Sequence, residues 1–356
     1  MSKPTVTRDE KAWELVVKAE VSPEKIAEHR THVIAHLVKD AKLDGFRPGK
    51  APEAAVVKAV GDAYILRETI EHAVQHDLPE ILAGESVNIV SSPKVVVESA
   101  PKELPATEPI IFTARAPLAP EVKLPDYKAI AKKHTEKKEE VVVTDEEHTQ
   151  TMTHLRRERA RITKVELGQS AADAAKDAQA MEEKDLPQLD DEFLKSLGYE
   201  SLEKFAGAVR ANIKTEKELQ ATEKRRAAML DELIEKSTVN YPRLLLDYEV
   251  DDMMARLKQD LANMQIPFDR YLTEVKKTEE DIRKESEPTA DKRAKMRLVL
   301  AHIAIAEKID ATPERLEKEM AHAKKHYPQA DDANLRAHIH HALRNEAVIA
   351  FLEGQK

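Results

Sequence analysis

The sequence predicts an α+β N-terminal domain over residues 1–120 followed by an all-α domain with extended helical arms over 121–356. Three observations carry this reading. Apolar residues alternate with a period of two only in the first third of the chain, and from about Thr144 the period is 3.6. Glycine is scarce, eight residues in 356, while long stretches are rich in the strong helix formers Ala, Glu, Lys and Leu. Charged residues are 35% of the chain and aromatics 4%, so burial relies on thin layers of Leu, Ile, Val, Ala and Met.

Residues 12–20, AWELVVKAE, place Trp13, Leu15 and Val17 on one side of a period-two pattern, as a strand does. Ser22 can cap free backbone donors and Pro23 suits a first helical position. Ile26, His29, Val33, Ile34 and Leu37 then recur at helical spacing, and the helix runs to Leu43. The segment DGFRPGKAP, 44–52, holds two glycines and two prolines, which exclude regular structure and demand a shaped loop. A second helix follows from Glu53 to about Gln75. VNIV at 87–90, KVVVE at 94–98 and IIFTARA at 110–116 are separated by SSP and PKELPATEP, and they predict two or three strands. With residues 12–20 these make a small antiparallel sheet beside two helices. Residues 121–131 read as an exit linker.

Thr144 and the acids after it cap a helix that continues through Met152, Leu155, Arg156 and Arg159. Residues 168–192 carry few large apolar side chains before Leu186 and Leu189 and read as a short, weakly packed connector. From Ser201, one apolar stripe runs through Leu202, Phe205, Val209 and Ile213 to Leu233 and Ile234. Pro242 breaks it. Further helices are expected over 242–265, 268–284, 289–309, 312–326 and 332–352. A compact bundle fits this pattern; helical hairpins projecting from one another fit it with a smaller buried core per residue and leave apolar faces reachable by another chain.

A formal charge of -9 disfavours nucleic-acid binding by the whole protein, and the absence of cysteine excludes disulfides and thiolate chemistry. No run of about twenty apolar residues occurs, so no membrane span is expected and a soluble cytoplasmic protein is the default. No nucleophile–base arrangement, phosphate cradle or zinc-hydrolase motif stands out, and neither a catalytic residue nor a cofactor is predicted. His338 and His341 share a helical face without His340, a solvent-facing or structural cluster rather than a metal site. HxxxH spacings elsewhere carry less weight still. Among the methionine-containing stripes, Leu257, Leu261 and Met264 are candidates for contact with an apolar partner, ordinary core being the alternative. The basic runs Lys132, Lys133, Lys137, Lys138 and Arg156, Arg157, Arg159, Arg161 are interspersed with acids, as on solvated helix faces. The loop at 44–52 is locally basic, with Arg47, Lys50 and the nearby Lys42. Positive groups there suit phosphate and Phe46 suits an apolar pocket or a base, unless Phe46 is tucked into the small core of a plain helix–helix turn.

The run GFRPGKAP at 45–52, placed between two helices, resembles the ribosome-binding signature of the trigger factor family of bacterial ribosome-associated chaperones. EPIIFTARAPLAPEVKLPDYKAI at 108–130 is similar to the end of that family's N-terminal domain, and LPQLDDEFLKSLGYESLEKF at 186–205 to the opening of its helical C-terminal region. The resemblance covers roughly residues 12–356. Position by position, Gly45, Phe46, Arg47, Gly49, Lys50 and Pro52 match the signature, and Phe46 and Arg47 match residues that contact the ribosome near the exit of its polypeptide tunnel. Pro48 departs from the family's common Phe-Arg-Lys and stiffens the loop. Family members usually carry a peptidyl-prolyl isomerase domain of the FK506-binding type, for which residues 163–185 leave only a short connector, where an independent domain needs about fifty residues. The resemblance therefore implies an ATP-independent chaperone without isomerase activity, which docks at the large-subunit tunnel exit through ribosomal protein and RNA and shields nascent or unfolded polypeptides. It permits a homodimer of the free protein. The other reading is a ribosome-independent holdase or assembly scaffold.

Overall fold

The computed structural model describes residues 4–43, 46–47, 49–85, 87–136, 141–189, 191–196 and 198–355. Gly45 and Pro48 of the predicted loop and Lys137 and Lys138 of the first basic run lie outside them. The chain divides into two compact units, one formed by 1–124 and 236–309, the other by 125–235 and 310–356.

The first unit contains an antiparallel sheet of order β1-β2-β4-β3, with β1 Thr5–Asp9, β2 Glu14–Val21, β3 Lys94–Ser99 and β4 Ile110–Pro117. The alternation read in the sequence places one face inward. Val17 lies opposite Ala114, Ala19 opposite Phe112 and Val21 opposite Ile110. Trp13, Leu15, Val17, Ile110 and Phe112 are buried against Ile26, Ala73, Val74 and Leu78 of helices α1 Pro23–Asp40 and α3 Asp62–Ala83. Trp13 Nε1 donates to the Ala119 carbonyl at 2.9 Å, which ties the turn before β2 to the end of the sheet.

Several elements differ from the sequence reading, each for a local reason. β1 is polar and exists through its pairing with β2. The predicted strand at 87–90 is reduced to one bridge between Ile89 and Leu118. The second helix is broken at Gly61, whose φ of 89 separates α2 Glu53–Val60 from α3, and α3 continues through Pro79. Ser22 holds the extended N-cap conformation of α1, but its hydroxyl makes no backbone cap bond. Residues 121–131 are not a linker: β5 Glu121–Lys123 pairs with β6 Thr238–Asn240, and α4 Tyr127–Glu136 follows.

The first unit also holds α9 Arg243–Asn263, α10 Phe268–Val275 and α11 Glu279–Glu307. The sequence reading places a break at 285–288; the observed break lies earlier, where Lys276 takes a left-handed conformation and Thr278 forms a reciprocal capping box with Asp281. Pro288 sits inside α11. α9 and α11 share a small core of Val250, Met254, Ile282 and Ala290.

In the second unit, α5 Asp145–Glu166 starts on a Thr144–Glu147 capping box, in agreement with the sequence. A hydrogen bond from Lys217, with a backbone bond from Thr144, holds the Glu147 carboxyl below its usual range. Residues 171–180 are ordered as α6 Ala171–Ala180 and packed on α5, contrary to a weakly packed connector. Ala160, Ala174 and Ala178 are buried there, and small side chains let the two backbones approach without large apolar residues. α7 Asp191–Ser196 and α8 Leu202–Lys236 bury Leu194, Phe205 and Val209 beside Leu189. α12 Pro313–His326 and α13 Asp332–Glu353 share Leu316, Met320 and Leu343, and α13 also packs on α4. The architecture is thus an α+β N-terminal region with a C-terminal region that is almost entirely helical.

Candidate functional site

The segment that follows α1 is shaped by its own backbone. The Phe46 amide donates to the Leu43 carbonyl, Lys50 to Arg47 at 2.9 Å, and Gly49 to Ala41 at 3.4 Å, across the base of the loop. Ala51 is buried, and Pro52 stands in extended conformation at the N-cap of α2, where its missing N–H costs nothing. Anchored at both ends, the loop presents Phe46 at 44% exposure beside an exposed Arg47. Phe46 is therefore not tucked into the core. Arg47 and Lys50 have no acidic partner among the described residues.

Gly49 is required by geometry. Its φ is +74, and a Cβ there would stand 3.1 Å from the Lys39 carbonyl oxygen. Gly49→Ala is expected to cost about 1–2 kcal/mol of loop order, which speeds amide exchange over 46–52 by roughly tenfold while the sheet core keeps its protection. Unchanged exchange would show that the loop does not depend on this conformation.

The remaining predicted residues occupy different environments on α9 and its end. Leu257 packs partly buried against the α9–α11 core, Leu261 is buried, and Met264, the C-cap residue, is 69% exposed. Other large apolar side chains stand in solvent, including Tyr248 and Ile305 in the first unit and Leu167, Leu219 and Tyr327 in the second. The accessible surface of the chain is 23472 Å². Two compact bodies of the same total mass would expose about 17000 Å² between them without touching, so the helices within each unit are covered on fewer sides than in a closed globule.

The structure adds features that sequence reasoning missed. A cleft of about 540 Å³ lies between α3 and β3, lined chiefly by Ile70, Val74, Leu78, Pro79, Val95 and Val97. Its signal was the run Val95–Val97, whose side chains all remain exposed on an edge strand. Arg156, read as part of a solvated basic face, donates to the backbone carbonyls of Glu183, Leu186 and Pro187 and clamps the segment after α6. His340 pairs with Asp310 at 2.8 Å and His341 accepts from Arg344, so two of the three C-terminal histidines have local partners. Among the described residues no helix is long and apolar enough to cross a membrane.

These surfaces offer binding and no arrangement for bond chemistry among the described residues: a pinned aromatic and basic loop on an α+β body, and helices with apolar residues left outside. That is the build of a chaperone-type binding protein. The family model "Bacterial trigger factor protein (TF)" matches residues 3–155, and its C-terminal counterpart matches 201–352. The trigger factor of Caldicellulosiruptor saccharolyticus is 24% identical over 383 residues, covering 88% of this chain and 86% of the relative, and that of Thermus thermophilus is 26% identical over 355 residues, covering 85% of each. A solved trigger factor chaperone, described for promiscuous substrate recognition in folding and assembly, aligns with a TM-score of 0.51 at 16% identity, over 99% of this chain and 100% of that one. The chain belongs to the trigger factor family, and with it to the ribosome-associated chaperones. Between the two matched segments there is no isomerase domain; the described residues of 156–200 form helices and turns with no strand.

Proposed function

We propose that the loop at 45–52 docks this chaperone beside the ribosomal tunnel exit, with Phe46 in an apolar pocket and Arg47 against ribosomal RNA phosphate or an acidic protein side chain. Gly45, Gly49, Lys50 and Pro52 shape and charge the loop, and the helical faces, Leu257, Leu261 and Met264 among them, hold emerging or unfolded chains. The observation that carries this reading is the exposure of Phe46 and Arg47, with backbone hydrogen bonds joining the described residues 46, 47, 49 and 50 to one another and to the end of α1, which lowers the ordering cost of docking. Scattered apolar residues on thinly covered helices favour many weak, unspecific contacts, and release from such contacts requires no nucleotide.

Co-sedimentation of the full chain with ribosomes, run beside suppression of aggregation of a denatured client, tests both halves. The expected result is pelleting that weakens with salt together with client protection. Protection without pelleting would leave a ribosome-independent holdase or assembly scaffold, and pelleting without protection would remove the shielding role.

A further inference from the structure

Helices α1 and α3 bring an unusual set of side chains together at their contact. His29 and His32 of α1 meet His72, His76 and Asp77 of α3. His29 and Asp77 are 6% and 7% exposed. His29 Nε2 lies 3.4 Å from Asp77 Oδ1, and His76 Nδ1 lies 3.4 Å from the same oxygen. The three ligand atoms all fall within 4.8 Å of one another, the one such group found among the described residues.

We propose that His29, His76 and Asp77 bind one zinc ion, or a like divalent transition-metal ion, between α1 and α3. Bonds of about 2.0–2.1 Å from a tetrahedral ion place neighbouring ligand atoms about 3.4 Å apart, which is the separation of Asp77 Oδ1 from each imidazole nitrogen. The fourth position is left to water. Two imidazoles and one carboxylate select zinc, cobalt, nickel or copper over magnesium and calcium, which take oxygen ligands.

The surroundings orient each ligand. Lys25 Nζ donates to Asp77 Oδ2 at 3.2 Å, which leaves Oδ1 to face the histidines. His29 bound through Nε2 carries its proton on Nδ1, and His72 Nδ1 lies 3.1 Å from that atom as acceptor. His72 in turn stacks between His32 and His76. The His76 side chain is 57% exposed, so solvent and ions reach the site without opening the helices.

Calorimetric titration of the full, chelator-stripped chain with zinc chloride, with cobalt chloride for absorption spectroscopy, tests this site. One tight equivalent, a raised melting temperature and the intense visible bands of four-coordinate cobalt are expected. His76→Ala and Asp77→Asn should each remove all three signatures, their circular dichroism matching the wild type; His72→Ala should weaken binding by about 10- to 100-fold. The triple variant His338→Ala, His340→Ala, His341→Ala should bind as the wild type does. Zinc binding that survives His76→Ala and Asp77→Asn, is lost in the C-terminal triple variant, or is absent from the wild type would overturn the site.

Discussion

Replacing Phe46 and Arg47 together with alanine is expected to lower ribosome affinity by roughly thirtyfold or more, which corresponds to about 2 kcal/mol. Burying the exposed part of the Phe46 ring is itself worth about 2 kcal/mol. Arg47, with no acidic partner among the described residues, adds a charge-assisted bond on docking instead of exchanging one already made. Neither side chain contributes to the sheet core, and the loop's backbone hydrogen bonds do not involve them, so the variant should melt like the wild type. Phe46→Ala alone should leave binding that is more salt-dependent than the wild type's and Arg47→Ala binding that is less so, Lys50 keeping part of the loop's charge, because the two contacts differ in kind. Pelleting read across a salt series separates them. Equal pelleting by wild type and double variant would sink the docking assignment, and a loss of client protection in the double variant would show that loop and helical faces do not work separately.

What the sequence revealed was what is decided locally. The loop was legible because Gly49, Pro52 and their neighbours punctuate the chain wherever they fold, and α5 because Thr144 and Glu147 cap each other within one turn. The alternation around Val17 and Phe112 marked β2 and β4 for the same reason. Elements that exist through distant partners were not legible. β5 and β6 are three residues each and hold one another across more than a hundred positions of chain. α6 escaped because Ala174 and Ala178 bury well without looking hydrophobic, and the start of α11 because the Thr278 and Asp281 cap outweighs the proline ten residues on. The histidines of α1 and α3 looked like unrelated spacings until the helix contact joined them. The α3–β3 cleft likewise needs the sheet order, which places Val95 and Val97 beside Leu78.

The second large effect is expected in the α9–α11 pair, where Glu249 is 3% exposed and its carboxylate meets Arg293 and Arg297 of α11. Cross-helix ion pairs flank the apolar core at this contact; Asp251 with Arg283 and Lys258 with Glu279, both exposed, continue the line. Arg293→Ala with Arg297→Ala strands a buried carboxylate, a change that costs about 3–5 kcal/mol. Glu249→Gln removes the charge and keeps the shape, Arg293 keeps Asp252 at 2.8 Å, and Arg297, 59% exposed, turns to water; its expected cost is about 1–2 kcal/mol. Hydrogen exchange over residues 243–307 reads both, and the double arginine variant should exchange faster than Glu249→Gln. The reverse order would mean that this carboxylate is not held as a buried charge. Because Tyr248, Met264 and Ile305 stand exposed on these helices, the loosened pair should also protect a denatured client less well while ribosome pelleting through Phe46 and Arg47 is unchanged, so shielding fails separately from docking.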